Sequence, residues 1–371
     1  MKKTSVLMVL GNTGRGGAQT FAMNLLRMID KEKYQIDFAV NEIRKNGYTQ
    51  EMYKLGSKIY EIPFFKGYNW GTYVKTWDRL LSEHHYDIVH GHVSSSASIY
   101  LKEARRHGCK TIAHSHSAGY RGNWIERQVK KVFTVGVKSQ ADYWFACSKL
   151  AAERLFGQNY ANYAHYYDIP NAIIADNYLF CEESRNLIRS QNGINFEQRV
   201  YGHVGSFTAP KNHEFLLEVF SRIAANDPKA VLVICGDGER KSEIQARIES
   251  LKISEKVLLV GNVANVNEYM MAMDAMIFPS FFEGFPVTIL EAQAAGLPIV
   301  LSDTITDEVF LTDCIHPMSL SSGAEAWASK AMKLKSGNRV SMNAHISASK
   351  YNMKNCVEQI ENIYCEMVKR K

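Results

Sequence analysis

Glu283 and Glu291, with seven residues between them, lie in a stretch at 279–298 that reads as strand end, loop, helix and closing glycine. Pro286 falls where a first helical position tolerates a missing N–H, and Gly296 falls where a helix ends. The backbone N–H groups of Gly284, Phe285 and Val287 are then expected at a helix N-terminus, an arrangement that favours phosphate. Glu283 in the loop is a candidate acceptor of hydrogen bonds from sugar hydroxyls, and Glu291 a candidate for a ribose diol. A plain strand-loop-helix unit with a surface glutamate fits these two carboxylates equally well. Gly16 and Gly17 follow an apolar run and precede an amphipathic one, so they either cradle a phosphate or close a tight turn. His90, His92, His114 and His116 form two His-x-His pairs at the ends of apolar runs, each pair on one side of a strand. Metal ligation, hydrogen bonding to a sugar and a structural role are all open for them. Lys211, just after Pro210, offers an ammonium to a diphosphate or is an ordinary surface lysine.

The elements that must carry these residues alternate regularly. Apolar runs at 6–10, 36–40, 88–90, 111–114 and 144–147 read as buried strands, with helical spacing between them at 18–29 and 72–83. The rhythm restarts with strands at 200–204, 230–235, 257–260, 275–278 and 298–301 and helices at 212–225, 240–251, 266–273 and 287–295. This is the pattern of two parallel α/β sheets. Asp168-Ile-Pro-Asn-Ala172 reads as an extended turn between the series, and the stretch from about 352 to 371 as a separate terminal helix. The expected domains are 1–170, 171–350 and a helix at 351–371. In such folds ligands bind at the C-terminal edges of the strands. The spacing Gly11-x-x-Gly14-x-Gly16 is not the dinucleotide fingerprint, and Val40 is followed by Asn41 rather than an acid, which argues against a nicotinamide cofactor.

Taken together, these segments resemble retaining nucleotide-sugar glycosyltransferases of family 4. The stretch 279–298 is similar to that family's Glu-x7-Glu signature, 8–18 to its first strand and glycine loop, and 86–92 to its Asp-Val-Val-His-x-His strand. Gly205 to Lys211 is similar to the entry of the donor domain, and Gly236, Gly238, Asn262 and Val263 to two further loops near the nucleotide. The resemblance spans about residues 4 to 305, and the segments around His114–His116 and Ser148 are closest to the exopolysaccharide and capsular polysaccharide branch. It implies an α/β fold of the GT-B type: two tandem Rossmann-like, doubly wound parallel sheets facing a cleft, with the C-terminal helix packing back on the first.

The resemblance further implies an acceptor-binding first domain, a donor-binding second domain, and transfer with retention from a nucleotide diphosphate sugar, UDP-linked, to a glycan or lipid-linked acceptor. Glu283 would hold the sugar, Lys211 the diphosphate and Glu291 the ribose. His116 would line the reacting face, with His92 and His114 facing the acceptor or the cleft. Neither cofactor nor metal is expected, because helix N–H groups and cations carry the leaving charge. Ser206 departs from the family pattern, which has Arg there, and losing such a contact costs about 1.5–3 kcal/mol. Arg15 is the candidate replacement. Two other classes stay open, a weakly active partner subunit and an epimerase or phosphorylase on the same fold.

Composition sets the remaining bounds. With 371 residues, 46% hydrophobic and 22% charged, the chain is an ordinary globular protein of two domains, neither disordered nor fibrous. No apolar run approaches a membrane span, and 6–10 is too short for a signal peptide, so a cytoplasmic location is expected. Seven cysteines without a Cys-x-x-Cys pair suit neither a disulfide framework nor a zinc site. Residues 1–170 hold 24 Lys and Arg against 14 Asp and Glu, and the rest 20 against 24. The basic half carries 120–138, where Trp124, Ile125, Val129, Val132 and Phe133 interleave with Lys130, Lys131 and Lys138. That face suits an anionic membrane surface or packs on its own sheet. No nucleic-acid partner is expected.

Overall fold

The computed structural model describes residues 3–116, 136–335 and 337–369. The chain divides into two compact units, Met1–Ile173 together with Met353–Lys371, and Ile174–Asn352. The divisions fall three residues after the expected 170 and two after the expected 350.

The first unit holds a parallel sheet of β1 (Thr4–Leu10), β2 (Tyr34–Val40), β3 (Ile59–Glu61), β4 (Ile88–Gly91), β5 (Lys110–Ser115), β6 (Tyr143–Ala146) and β7 (Tyr166–Asp168). Their order in space is β3-β2-β1-β4-β5-β6-β7. The second unit holds β8 (Arg199–Val204), β9 (Ala230–Cys235), β10 (Val257–Gly261), β11 (Ala275–Phe278), β12 (Ile299–Ser302) and β13 (Ile315–Met318), ordered β10-β9-β8-β11-β12-β13. All recorded pairings are parallel. Central strands of such sheets are covered on both faces and read as unbroken apolar runs. β9 shows it, with Ala-Val-Leu-Val-Ile-Cys buried throughout. The strand order reverses between β1 and β4 and again between β8 and β11, and these are the switch points where open α/β sheets bind ligands.

Three short strands had no signal in the sequence, and all three are sheet edges: β3, β7 and β13. Their residues are half-buried or exposed, so no apolar run marks them. Expected strands 144–147 and 298–301 shift by one residue, to β6 and β12.

The terminal helix Met353–Lys369 belongs to the first unit, where Glu361 accepts the Asp30 N–H and the Tyr34 hydroxyl bonds the Glu361 carbonyl. In the second unit Arg339 is buried, and its guanidinium donates to the carbonyls of Met270, Met271, Met273 and Ala295. It thereby satisfies the C-terminal carbonyls of two helices, Val266–Ala272 and Val287–Ala294, where a cation is favoured. Burial lowers its pKa to about 10. Gly296 closes the second of these helices at φ +61°, and a Cβ there would lie 2.5 Å from the Arg339 Cα. Five cysteines are buried, Cys181 is partly buried and Cys365 is exposed. No helix among the described residues is long and apolar enough to cross a membrane.

Candidate functional site

At the switch point of the second unit, two loops leave neighbouring strands in opposite directions and are tied together. The Phe281 N–H donates to the Pro210 carbonyl at 2.8 Å, and the Asn212 amide donates to the Pro279 carbonyl at 3.1 Å. Asn212 holds a left-handed φ of 53° just before the helix His213–Asn226, a conformation Asn tolerates better than other side chains. The turn brings Lys211 to Glu283, with Nζ donating to Oε1 at 2.7 Å, both side chains largely buried. The ammonium also stands 5.0 Å from the Phe278 ring centroid. The residues read from sequence as a diphosphate cation and a sugar carboxylate are therefore an ion pair.

Gly236 and Gly238 have one physical reason, the close approach of the loops after β8 and β9, whereas a Cβ on Gly205 would meet its own segment, 3.1 Å from His203 Nε2 and 3.3 Å from Lys211 Cδ. A Cβ on Gly236 would sit 1.9 Å from the Gly205 carbonyl oxygen, and one on Gly238 2.7 Å from that of Phe207. The Gly205 and Phe207 amides donate to the Cys235 and Asp237 carbonyls, each at 3.0 Å, and the Gly236 amide donates to the Gly261 carbonyl at 2.9 Å. Asn262 beyond it is exposed and Val263 half-buried. Ser206 is exposed, 3.4 Å from the Thr208 hydroxyl. At the same edge the Ser280 hydroxyl and His203 Nε2 are buried without a hydrogen-bond partner among the described residues.

The phosphate-binding turn needs one correction. The helix runs Val287–Ala294, with Pro286 before it rather than inside it, and the Val287 N–H donates to the Phe285 carbonyl at 3.0 Å. That amide is spent within the turn, because Pro286 bends the backbone back on itself. Among the described residues the Gly284 and Phe285 amides make no backbone bond. Glu291 is partly buried, which raises its carboxyl pKa, while a hydrogen bond from Tyr178 acts the other way. Tyr178 carried no sequence signal, since it lies in a short turn (Ala175–Tyr178) far from the glutamate motif.

At the switch point of the first unit, Gly16 precedes the helix Gly17–Met28 with an ordinary φ of −80°. Neither Gly16 nor Gly17 has a positive φ. Space around Gly17 is open, its nearest neighbour being the Asn171 amide, 3.9 Å from where a Cβ would lie. Arg15 is exposed, with its guanidinium 5.5 Å from the Tyr48 ring centroid.

The four histidines come together beside it in two hydrogen-bonded pairs. His90 Nε2 lies 3.2 Å from His114 Nδ1, and His92 Nδ1 lies 2.7 Å from His116 Nε2. The His90 and His92 rings stack with centroids 4.3 Å apart, and those of His114 and His116 lie 3.9 Å apart, tilted by 32°. Burial holds His90, His92 and His114 well below the usual imidazole pKa, and lowers His116 to about 4 against a raising bond to Asn171. All four are neutral near pH 7.

Neutrality fixes the first pair completely. His114 Nε2 faces the Ile169 carbonyl at 3.1 Å, which can only accept, so the hydrogen is on Nε2 and Nδ1 is a lone pair. His90 then donates from Nε2 and accepts at Nδ1 from the Tyr364 hydroxyl, 2.7 Å away. Ring nitrogens of His90, His92 and His114 fall within 4.8 Å of one another, a metal-like cluster. The His90 and His114 lone pairs, however, are already occupied by hydrogen bonds. His116, read from sequence as the residue on the reacting face, has both ring nitrogens engaged, Nε2 by His92 and Nδ1 by Asn171 Oδ1 at 2.7 Å. The segment 120–138, with Trp124, Ile125, Lys130, Lys131, Val129, Val132 and Phe133, lies outside the described residues apart from its last three; Lys138 is in the helix Val137–Gln140.

Known proteins share this architecture. The family model for glycosyl transferases group 1 matches residues 184–338, and that for glycosyltransferase family 4 matches residues 15–176. EpsF of Bacillus subtilis is 31% identical over 328 residues, covering 87% of this chain and 85% of that protein. A UDP-Gal:alpha-D-GlcNAc-diphosphoundecaprenol alpha-1,3-galactosyltransferase of Escherichia coli is 26% identical over 239 residues, 61% of this chain and 60% of its own. The crystal structure of Anabaena HepE in complex with UDP superposes with a TM-score of 0.78 at 14% identity, covering 98% of this chain and all of that one.

Proposed function

This chain belongs to glycosyltransferase family 4, with the GT-B fold, and from that premise we propose that it transfers a sugar with retention from a UDP-sugar to a lipid-linked glycan acceptor in exopolysaccharide or capsular polysaccharide synthesis. The Lys211–Glu283 pair at the β8/β11 switch point carries the reading. Its ammonium can exchange a carboxylate for a diphosphate, and the freed carboxylate is then an acceptor for sugar hydroxyls. Leaving-group charge builds at the diphosphate, where Lys211 and the Gly284 and Phe285 amides supply fixed positive potential without a metal. Tyr178 holds the Glu291 carboxylate until a ribose diol takes its place. The first unit would bind the acceptor beside the glycine loop and the histidines, and its net charge of +10 over residues 1–170 suits an anionic membrane surface.

The Escherichia coli relative acts on a diphosphoundecaprenol-linked acceptor, which supports the choice of acceptor class. The experiment is an incubation of the purified protein with UDP-, GDP- and ADP-sugars and an undecaprenyl-diphosphate-linked sugar. The anomeric configuration of the product is read by NMR. A new α-linkage from an α-linked UDP-sugar supports the reading. Free sugar phosphate, an epimerised donor or an inverted linkage overturns it.

A further inference from the structure

His213 opens the helix His213–Asn226, two residues past Lys211, and the transfer chemistry above makes no use of it. Its side chain is 1% exposed and meets the His203 and Phe207 rings edge to face, each with its centroid 4.9 Å away. Both of its ring nitrogens are buried with no hydrogen-bond partner among the described residues. Burial, with the charges of Lys211 and Arg240, lowers its pKa to about 4. Near pH 7 the imidazole is therefore neutral, one nitrogen a donor and the other an acceptor. Leaving both bonds unmade costs stability that a leucine in the same place would not lose. Buried polar atoms nearly always find a partner, so this ring calls for a ligand or water that both gives and takes a hydrogen.

His213 lines a cavity of about 320 Å³ between its own helix and the next one, Lys241–Ser250. Small-molecule sites begin near ~300 Å³. Lys211 and Glu283 are not among the residues that line it, so the cavity is a place apart from the ion pair. Leu217 and Ile244 give it a buried apolar wall. Arg247 Nε is a further buried polar atom without a partner, and Glu214 stands exposed at the rim.

The charges decide the class of ligand. Arg240 and Arg247 are matched in the lining by Glu214 and Glu243. Both guanidinium groups are already committed to a carboxylate: Arg240 Nε donates to Glu243 at 2.7 Å, and Arg247 Nη2 donates to Glu218 at 2.8 Å. A phosphate would have to share these cations and sit beside Glu214, whereas strong anion binding uses guanidinium edges that no carboxylate holds. An uncharged sugar meets no such conflict. Each hydroxyl gives one hydrogen bond and takes others, which suits the neutral imidazole, the unpaired Arg247 Nε–H and the Glu214 carboxylate together. Its C–H face covers Leu217 and Ile244.

We propose that this cavity of the second unit binds an uncharged sugar residue, at a site separate from the one that carries transfer. Binding here needs no turnover, so the proposal goes beyond the glycosyltransferase reading and stands apart from it.

The test is nitrogen NMR of the histidine-labelled full-length protein, with the His213 signals assigned by their loss in His213→Gln. The methyl glycosides of glucose, galactose, mannose and N-acetylglucosamine, and cellobiose, are titrated to tens of millimolar, enough to fill a site of millimolar Kd. At least one of them should move the His213 signals. Ala246→Trp fills the rim of the cavity from an exposed helix position and should weaken that binding roughly tenfold or more, with an unchanged melting temperature. Glu214→Ala, also at an exposed position, should weaken it severalfold and keeps the test decisive if the tryptophan variant misfolds. Cellobiose binding more tightly than methyl glucoside marks a glycan as the occupant, and equal binding a free sugar; both support the proposal. His213 signals that none of these sugars moves overturn it, as do shifts that persist unchanged in both variants, or a response to inorganic phosphate and glucose 6-phosphate alone. A protein that turns over UDP-sugars yet fails these titrations loses this site and keeps the transfer reading. One that binds sugar here and turns over no nucleotide sugar loses only the transfer reading.

Discussion

Lys211 and Glu283 are bonded to each other, so removing one or the other should have opposite effects on nucleotide binding. In Lys211→Met the ammonium is gone, and a charge-assisted hydrogen bond to a diphosphate is worth about 1.5–3 kcal/mol. Converted at 1.4 kcal/mol per decade, UDP should bind roughly ten- to hundredfold more weakly. In Glu283→Gln the ammonium loses the carboxylate that holds it at 2.7 Å and competes with the diphosphate. UDP binding should then be unchanged or up to about tenfold tighter, since a partly buried ion pair returns only part of its Coulomb energy when broken. Transfer should fall sharply in both, because Glu283 also has to hold the sugar. Titration calorimetry with UDP and an end-point transfer assay separate the two. Weaker UDP binding in Glu283→Gln, or wild-type binding in Lys211→Met with an unchanged melting temperature, would refute the exchange and leave the pair a structural tie between two loops.

Chelation by EDTA should leave transfer intact, since Lys211 and the turn amides carry the diphosphate charge; a strict need for Mg²⁺ or Mn²⁺ in the assay would contradict this. Gly296→Ala should lower the melting temperature markedly, because it forces a Cβ to 2.5 Å from the Arg339 backbone at φ +61°; the left-handed conformation alone costs about 1–2 kcal/mol. Acid should destabilise the first unit. His116 is held near pKa 4 when folded and returns to about 6.5 when unfolded, so its contribution is complete above pH 6.5 and is lost as pH falls toward 4. The shift corresponds to at most about 3 kcal/mol. Melts between pH 7.5 and 4.5 should therefore slope downward on the acid side, and His116→Asn should flatten part of that slope.

The sheets were legible because parallel strands buried on both faces are apolar with little interruption, as β9 is throughout and β1 is from Val6 to Leu10. The edge strands β3, β7 and β13 escaped because one neighbour is missing and their residues are no longer uniformly buried. Site residues followed the same division. Glu283, Lys211 and the glycines of the donor loops are fixed by local chain geometry, a strand end followed by a turn, so spacing exposes them. Tyr178, Asn171 and Tyr364 reach their partners across 113, 55 and 274 residues of chain. No short window of sequence holds both ends of such a contact.

The histidines show why the same residues can be found by pattern and misassigned by role. His-x-His at the ends of β4 and β5 guarantees that four imidazoles share one face, and the sequence shows that much. Which nitrogen donates depends on what stands at the far end of each pair. A carbonyl and a phenol close one chain, whereas an amide oxygen closes only one end of the other. Those terminators come from β7's following turn and from the C-terminal helix, neither of which looks like part of a site. The imidazole with the most exposed position, His116, is therefore the one whose nitrogens are spoken for. The more deeply set His92 is the one with a ring nitrogen, Nε2, that has no hydrogen-bond partner among the described residues.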